Sequence, residues 1–440
     1  MLRFLNILLG IFAICIAQNT SAANLKLQFV TAIWRHGDRA ALKDLYPISE
    51  ANWTFGGGGF GELTPIGMNQ MVTLGGMLRK RYVDGMEFLN TRYAQREVHI
   101  RSTDVNRTIL SAMSLVYGLF PAGAWNIQGV DYPTSANWQQ GFTFVPIHVD
   151  GDEHCDVNQN CQKCPRMDEL EKEMRKITEY QKASVKMLAL NQQVAAYYNV
   201  TENIETFYWY PDTWKCQRNW FNDTLYKDLS WYNEDLYLES QETFAPLKRY
   251  QLGQFENDTK IDGIDIGLEM KILKVGPLIN EIYMRAQEKL DCVKDLENCT
   301  SYSKDLKFYG YSSHDNIVYG LVVALGLQDM CKSIDGWPEY SSTIVFEFYS
   351  NPESLEQFFK ILYRDNSNSE LADVTEMVSV CNGAQFCEMQ NLQNVADYYK
   401  PKPDFQTLCQ TSLDQSKAGN SDLTNQIVLQ ILSISLLLSL

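Results

Sequence analysis

Leu25, Leu27 and Phe29 alternate with polar residues, and the chain then runs almost unbroken through apolar side chains to Ile33 and Trp34. Alternation passing into an apolar run marks a strand buried on both faces, which places this segment centrally in a sheet. Beyond four glycines at 56–59, Thr64-Pro65 reads as an N-cap followed by a first-turn proline. Gly67, Met71, Leu74 and Leu78 then recur at helical spacing, and Arg79, Lys80 and Arg81 close that helix favourably for its dipole. Residues 98–100 predict a short strand, followed by a helix from near Asp104 that carries Ile109, Ala112, Met113 and Val116 on one face. Residues 307–312 predict another strand, with Ile317, Leu321, Ala324 and Leu325 on the helix beyond it. Residues 343–349 and 358–363 predict a late hairpin on the same sheet.

From about Asp150 to Gln287 the pattern changes to charged helical segments, clearest at Met167, Leu170, Met174, Ile177 and Leu188, interrupted by aromatic loops. Strand-to-helix turns before and after such a block predict an α/β domain, 24–149 with 288–415, built on a mixed central sheet with helices on both faces. A smaller, mainly helical domain at 150–287 is inserted into it. Trp209, Trp214, Trp220 and Trp231 are expected in the insert's core, and Glu171 with Arg175 forms an i, i+4 pair on a solvated face.

The termini set the compartment. Residues 1–23 have a secretory signal's layout: Arg3, an apolar stretch from Leu5 to Ile16, then Ser21-Ala22-Ala23. Without Cys15, ten of the eleven cysteines remain, an even number suited to disulfides in an oxidising compartment. Sequons at Asn52, Asn106, Asn199, Asn222, Asn257 and Asn298 predict a glycosylated surface. At the other end, residues 427–440 carry no charge but fall short of the roughly 20 residues of a membrane-spanning helix. Small residues at Ser416 and Ala418 and a polar spacer precede them, so 416–440 is read as a GPI-anchoring signal, with a short span or a buried helix as alternatives. The expected location is the extracellular face of the membrane, with lysosomal or fully secreted forms as alternatives. A net charge of −16 disfavours nucleic acid as a partner.

The chemistry sits at strand ends. The buried first strand runs straight into Arg35-His36-Gly37-Asp38-Arg39, at the point where open α/β sheets deliver ligand-binding groups. Arg35 and Arg39 supply permanently charged planar forks suited to an anion, and Gly37 lets backbone approach it. Arg101 follows the second strand, and His314 with Asp315 follows the third. Singly these are an ion-paired arginine, a core histidine and a helix cap; together they predict a constellation for phosphoryl transfer needing no metal or cofactor. The glycines at 56–59 are not followed by Gly-Lys-Ser/Thr and are read as a flexible loop. His154 with Cys155, Cys161 and Cys164 admits zinc, but secretion favours disulfides.

Arg35-His36-Gly37-Asp38-Arg39, the run from Ile100 to Thr108 (IRSTDVNRT) and Ser313-His314-Asp315 resemble the signature segments of the histidine acid phosphatases, closest to the prostatic and lysosomal animal type. Residues 60–64, Gly67-Met68 and Arg79-Lys80-Arg81-Tyr82 extend the likeness, which is weak through the inserted region. The resemblance implies a phosphoglycerate-mutase-like fold and hydrolysis of small phosphomonoesters through a phosphohistidine. His36 is then the nucleophile, Asp315 the proton donor, and Arg35, Arg39, Arg101 and His314 hold the phosphoryl group. It also implies disulfides Cys216–Cys331 and Cys164–Cys409, beside the short loops Cys292–Cys299 and Cys381–Cys387, which leaves Cys155 with Cys161. Dimers occur in the family, so the resemblance admits a homodimer while the sequence leaves the oligomeric state open. Ala40-Ala41 departs from the proline many members carry there. Rival readings are a narrower substrate, inositol polyphosphate or a lysophospholipid, and a catalytically silent adhesion glycoprotein.

Overall fold

β1 (Lys26–Arg35) fulfils the opening pattern by dividing its side chains between two cores. Phe29 and Ile33 enter one face of the sheet while Val30, Ala32 and Trp34 enter the other, and all five are fully buried. Burying one such side chain contributes roughly 1.5–3 kcal/mol, so a strand of this composition is stable only in the middle of a sheet. The computed structural model describes residues 24–149, 164–200, 209–297 and 299–414.

The remaining strands are β2 (Val98–Ser102), β3 (His148–Val149), the separate ribbon of β4 (Lys260–Ile261) and β5 (Ile264–Asp265), β6 (Phe308–Ser313), β7 (Thr343–Ser350), β8 (Gln357–Arg364), β9 (Ala372–Asp373) and β10 (Cys387–Glu388). The main sheet runs β10-β8-β7-β1-β6-β2-β3, with β9 beside β8. It is mixed: β1 is parallel to β6 and antiparallel to β7, while β6, β2 and β3 run parallel. The expected hairpin is β7–β8, paired from Thr343↔Arg364 to Ser350↔Gln357.

α1 (Pro65–Arg79) and α2 (Asn106–Leu119) cover the Trp34 face with Met71, Leu74, Leu78, Ala112 and Leu115. Thr64 caps α1 by accepting from the Gly67 amide at 2.9 Å. The basic run does not end that helix tidily. The chain continues as a π-helical turn at Lys80–Gly85, which lets Arg81 and Tyr82 both reach the fully buried Glu347 of β7.

The stretch expected as a helical insert contains α3 (Pro165–Met174), α4 (Thr178–Tyr197), α5 (Tyr210–Phe221), α6 (Glu234–Gln251) and α7 (Ile266–Lys274). Trp214 is fully buried among Met187, Leu190 and Val194, Trp209 and Trp231 pack against the same cluster, and Trp220 packs beside Trp53. α8 (Gly276–Lys294) lays Leu278, Ile279, Ile282, Ala286 and Leu290 on the Phe29 face of the sheet. The boundary expected at 287/288 therefore cuts through a continuous helix of the α/β layer. Beyond it come α9 (Ser301–Asp305), α10 (Asp315–Ala324), α11 (Met389–Tyr399) and α12 (Phe405–Gln410). Glu171 pairs with Lys274 of α7 at 3.4 Å rather than along its own helix.

Disulfides join Cys164 to Cys409, Cys292 to Cys299 and Cys381 to Cys387. The expected Cys216–Cys331 bridge is absent. Cys216 Sγ lies 3.3 Å from both Arg39 Nη1 and Tyr340 Oη, whereas Cys331 Sγ lies 3.3 Å from Tyr363 Oη. Each thiol is thus buried in its own polar contact, and burial pushes both up to about 12. Cys155 and Cys161 fall outside the described residues. Asn52, Asn106, Asn199, Asn222 and Asn257 are exposed, and Asn298 is outside the described residues. No described helix is long and apolar enough to cross a membrane; the expected signal and anchor, 1–23 and 416–440, lie outside the described residues.

Candidate active site

The parallel pairing of β1 with β6 sets Arg35 opposite Ser313, and both chains leave the sheet side by side. The His36 amide donates to Ser313 O at 3.0 Å and the Ser341 amide to His36 O at 3.2 Å. His36, His314 and Tyr340 converge as a result: the histidine rings lie edge to face with centroids 5.6 Å apart, and Tyr340 is 5.8 Å from His36.

His36 Nδ1 lies 2.8 Å from Gly37 O. A carbonyl only accepts, so Nδ1 carries the hydrogen and Nε2 keeps its lone pair. Burial foremost, then the charges of Arg107, Arg35, His314 and Arg39, hold this imidazole well below its ordinary pKa. His314, with Nε2 3.2 Å from Thr103 Oγ1, is lowered to about 4 by burial and then by Arg107. Both rings therefore take up a proton less readily than an ordinary imidazole, His314 only near pH 4.

Three guanidinium groups surround them. Arg35 donates to Pro338 O at 2.7 Å, pairs with Asp315 at 3.1 Å and lies 4.2 Å over the Tyr340 ring. Arg39 donates through Nη2 to both oxygens of Asp212 on α5, at 2.9 and 3.1 Å, and through Nη1 to Ala40 O and Cys216 Sγ. The third is Arg107, in the first turn of α2, whose charge weighs most on both histidines. Burial and Arg39 lower Arg107 itself to about 10. The buried Nε atoms of Arg35, Arg39 and Arg107 make no hydrogen bond among the described residues. Unsatisfied buried N–H groups are costly, and three around one imidazole define an anion cradle.

Arg101, expected in this cradle, is not there. Side chains alternate along β2, and Arg101 projects to the α8 face, over Tyr311 at 4.9 Å and paired with Glu281 at 3.0 Å. Arg107, six positions later in the same segment, stands beside the histidines in its place, a role the sequence pattern does not assign to it. The signal available was its place at a helix N-terminus directly after a strand, where α/β sheets gather ligands.

Asp315 opens α10 beside this cradle. Burial alone would raise its pKa, but Arg35 above all, with Lys248, His314 and Arg39, carries it below the ordinary carboxylate range. Asp38 points away from the crevice. Its carboxylate accepts from Thr64 Oγ1 at 2.7 Å and Asn219 Nδ2 at 2.9 Å, bracing the loop between α1 and α5. Burial raises its pKa.

A buried histidine whose Nε2 keeps its lone pair, three arginines whose charges bear on it and a neighbouring carboxyl make a site chemically suited to phosphoryl transfer. The model of the histidine phosphatase superfamily (branch 2) matches residues 26–364, and the chain belongs to this family as a histidine acid phosphatase, a phosphomonoesterase. It is 56% identical over 391 residues to the Caenorhabditis elegans protein named "Putative acid phosphatase F26C11.1", covering 89% of each chain. It is 30% identical over 417 residues to Homo sapiens prostatic acid phosphatase, covering 91% of this chain and 92% of that one. The phytase from Citrobacter braakii shares the fold at 12% identity, with a TM-score of 0.59 over 88% of this chain and 100% of that one.

Proposed function

We propose that this acid phosphatase hydrolyses phosphate monoesters with His36 as nucleophile, Arg35, Arg39, Arg107 and His314 as the phosphoryl cradle, and Asp315 as proton donor. The observation that carries the assignment is the His36 Nδ1–Gly37 O hydrogen bond within a cationic pocket. The hydrogen bond leaves the lone pair on Nε2, and burial with the surrounding positive charges lowers its affinity for a proton, so it stays a nucleophile further into acid than an ordinary histidine.

Nε2 attacks phosphorus as the ester P–O bond breaks, and the leaving oxygen takes a proton from Asp315. Water then attacks the phosphohistidine, the P–N bond breaks, and Asp315 takes the water's proton as inorganic phosphate forms. Asp315 is ionised beside Arg35, so its proton has to arrive with the substrate. A monoester below its second ionisation, near pH ~6, brings one. Its phosphoryl oxygens draw on Arg35, and the anion beside Asp315 raises that carboxyl's proton affinity. An acidic optimum follows from the substrate's charge state, rather than from a carboxyl protonated in advance.

Disulfides and the prostatic and lysosomal relatives point to the secretory pathway. Within it, the composition of 416–440 supports a GPI-anchoring signal at the cell surface, and kinship with the animal enzymes supports a homodimer. A chain lacking 419–440 should then appear active in the medium, and a phosphatidylinositol-specific phospholipase should release the full-length form.

The deciding experiment is a single-turnover reaction with labelled phosphomonoester, quenched in base. Acid-labile phosphate on His36, lost in His36→Ala, supports the proposal; label on any other residue refutes it. A panel of esters from pH 4 to 8 tests the activity itself.

A further inference from the structure

Helix α5 presents Asp212, Lys215, Cys216 and Asn219 at helical spacing, and each contacts a residue in or next to the active site. Asp212 and Cys216 hold Arg39, Asn219 holds Asp38, and Lys215 pairs with Glu339, next to Tyr340, at 2.7 Å. The consequence is sharpest at Arg39. All of its hydrogen bonds among the described residues come from Nη1 and Nη2: two to the Asp212 carboxylate, one to Ala40 O and one to Cys216 Sγ. Only Nε, buried and without a hydrogen bond among the described residues, is left over.

We infer that Asp212 is a positioning residue, which ties up the distal end of Arg39 so that this arginine meets the phosphoryl group through Nε–H alone. A guanidinium offers five donors in a fixed plane. Fixing two of its nitrogens on a carboxylate, a carbonyl and a thiol fixes the direction of the third. Asp212 is 28% exposed in its side chain against 7% for Arg39, so the clamp sits at the rim and points inward. The helical insert therefore contributes to the chemical step itself, beyond any role in admitting substrates. The inference rests on Arg39 belonging to the phosphoryl cradle.

A carboxylate near an anionic substrate makes two opposed contributions. Its charge weakens substrate binding, and its hydrogen bonds orient Arg39. Replacing it separates them, because loss of charge lowers KM, whereas loss of orientation lowers kcat. A cycle of Asp212→Ala, Arg39→Ala and the double variant should be measured in pre-steady-state reactions with a nitrophenyl phosphate. Asp212→Ala is expected to lower the phosphorylation rate about tenfold or more, a fraction of the ~10²–10³ typical of losing one oxyanion donor. The double variant is expected to be no slower than Arg39→Ala, since an unanchored residue cannot be mispositioned. Asp212→Asn, which keeps one acceptor, is expected to recover part of the rate, and it carries the test should the alanine variant fold poorly.

If Arg39→Ala itself leaves the rate within twofold, the cradle assignment of Arg39 is wrong. If Arg39→Ala is slow but Asp212→Ala is within twofold of the parent, or the two losses multiply in the double variant, the positioning role is refuted while the cradle stands.

Discussion

Gly37 and Gly67 meet backbone to backbone: a Cβ on Gly37 would lie 2.4 Å from Gly67 O, and one on Gly67 would lie 2.2 Å from Asp38 O. No side chain fits between the His36 loop and the first turn of α1, so that turn acts as a template for the residues around His36. Gly67→Ala is expected to destabilise by about 1–3 kcal/mol through overpacking. It should also lower kcat/KM on the order of 10²-fold, since a shift of about 1 Å in a positioned group costs that much. Gly76→Ala, in the same helix but with nothing within 4 Å of the added carbon, should be stabilising by roughly 0.5–1 kcal/mol with full activity. Thermal unfolding beside steady-state kinetics checks the pair.

Arg101 and Arg107 should separate cleanly under substitution. Arg107→Ala removes a cradle donor and is expected to cost roughly 10²–10³ in kcat/KM. Arg101→Ala removes one partner of Glu281, which keeps Arg285 and Tyr311, and should lower the melting temperature slightly while changing kcat/KM by less than about tenfold. The reverse ranking would restore the role that strand counting gave to Arg101.

Asp315→Asn cannot protonate a departing alkoxide but keeps an amide in the same place. Phosphorylation of His36 by an aryl ester, whose leaving group needs little help, should survive. Alkyl esters should slow by up to the ~10²–10⁴ typical of general acid catalysis. Equal losses on both ester types in single-turnover rates would remove Asp315 from the donor role.

The depressed histidines make two pH predictions. With His314 lowered to about 4 and His36 lowered well below its ordinary value, the acid limb of kcat/KM should lie near or below pH 4, not near 6.5. Arg107→Gln, by removing the charge that weighs most on both rings, should move that limb upward. For stability, the unfolded chain binds protons at these histidines more readily than the native one. Native stability should therefore fall as pH drops from about 6.5 towards 4. His314→Asn should flatten that slope in urea titrations at successive pH values. Asp315 acts in the same direction in a lower window: its depressed value contributes stability above pH ~4, and that contribution is lost progressively as the pH falls further.

His36 and His314 were legible in the sequence because a buried strand must end somewhere, and α/β sheets gather their chemistry at such ends. Arg101 shows the limit of counting from a strand end, since alternation sends every second side chain to the opposite face. The boundary at 287 failed for a related reason: charged residues on the outer side of α8 resemble the insert, while its inner side belongs to the sheet. The places of Cys216 and Asp212 beside Arg39 are not legible locally, and the resemblance assigned Cys216 to Cys331 instead. Their bonds to Arg39 span 177 and 173 residues, and nothing local in either segment records them.

The central place of β1 also dictates when the enzyme can come into being. Trp34 bonds to Ser312, 278 residues later, and β7, on the other side, follows β6 in the chain. The first strand to leave the ribosome thus waits for both neighbours while most of the polypeptide is still being made. At ~5–20 residues per second that interval is on the order of tens of seconds, during which a sticky, edge-exposed ribbon is unprotected. Biosynthesis of this protein should depend on a chaperone that holds the amino-terminal segment until the β6–β7 region arrives, and truncation before residue 308 should leave an aggregating chain rather than a smaller folded one.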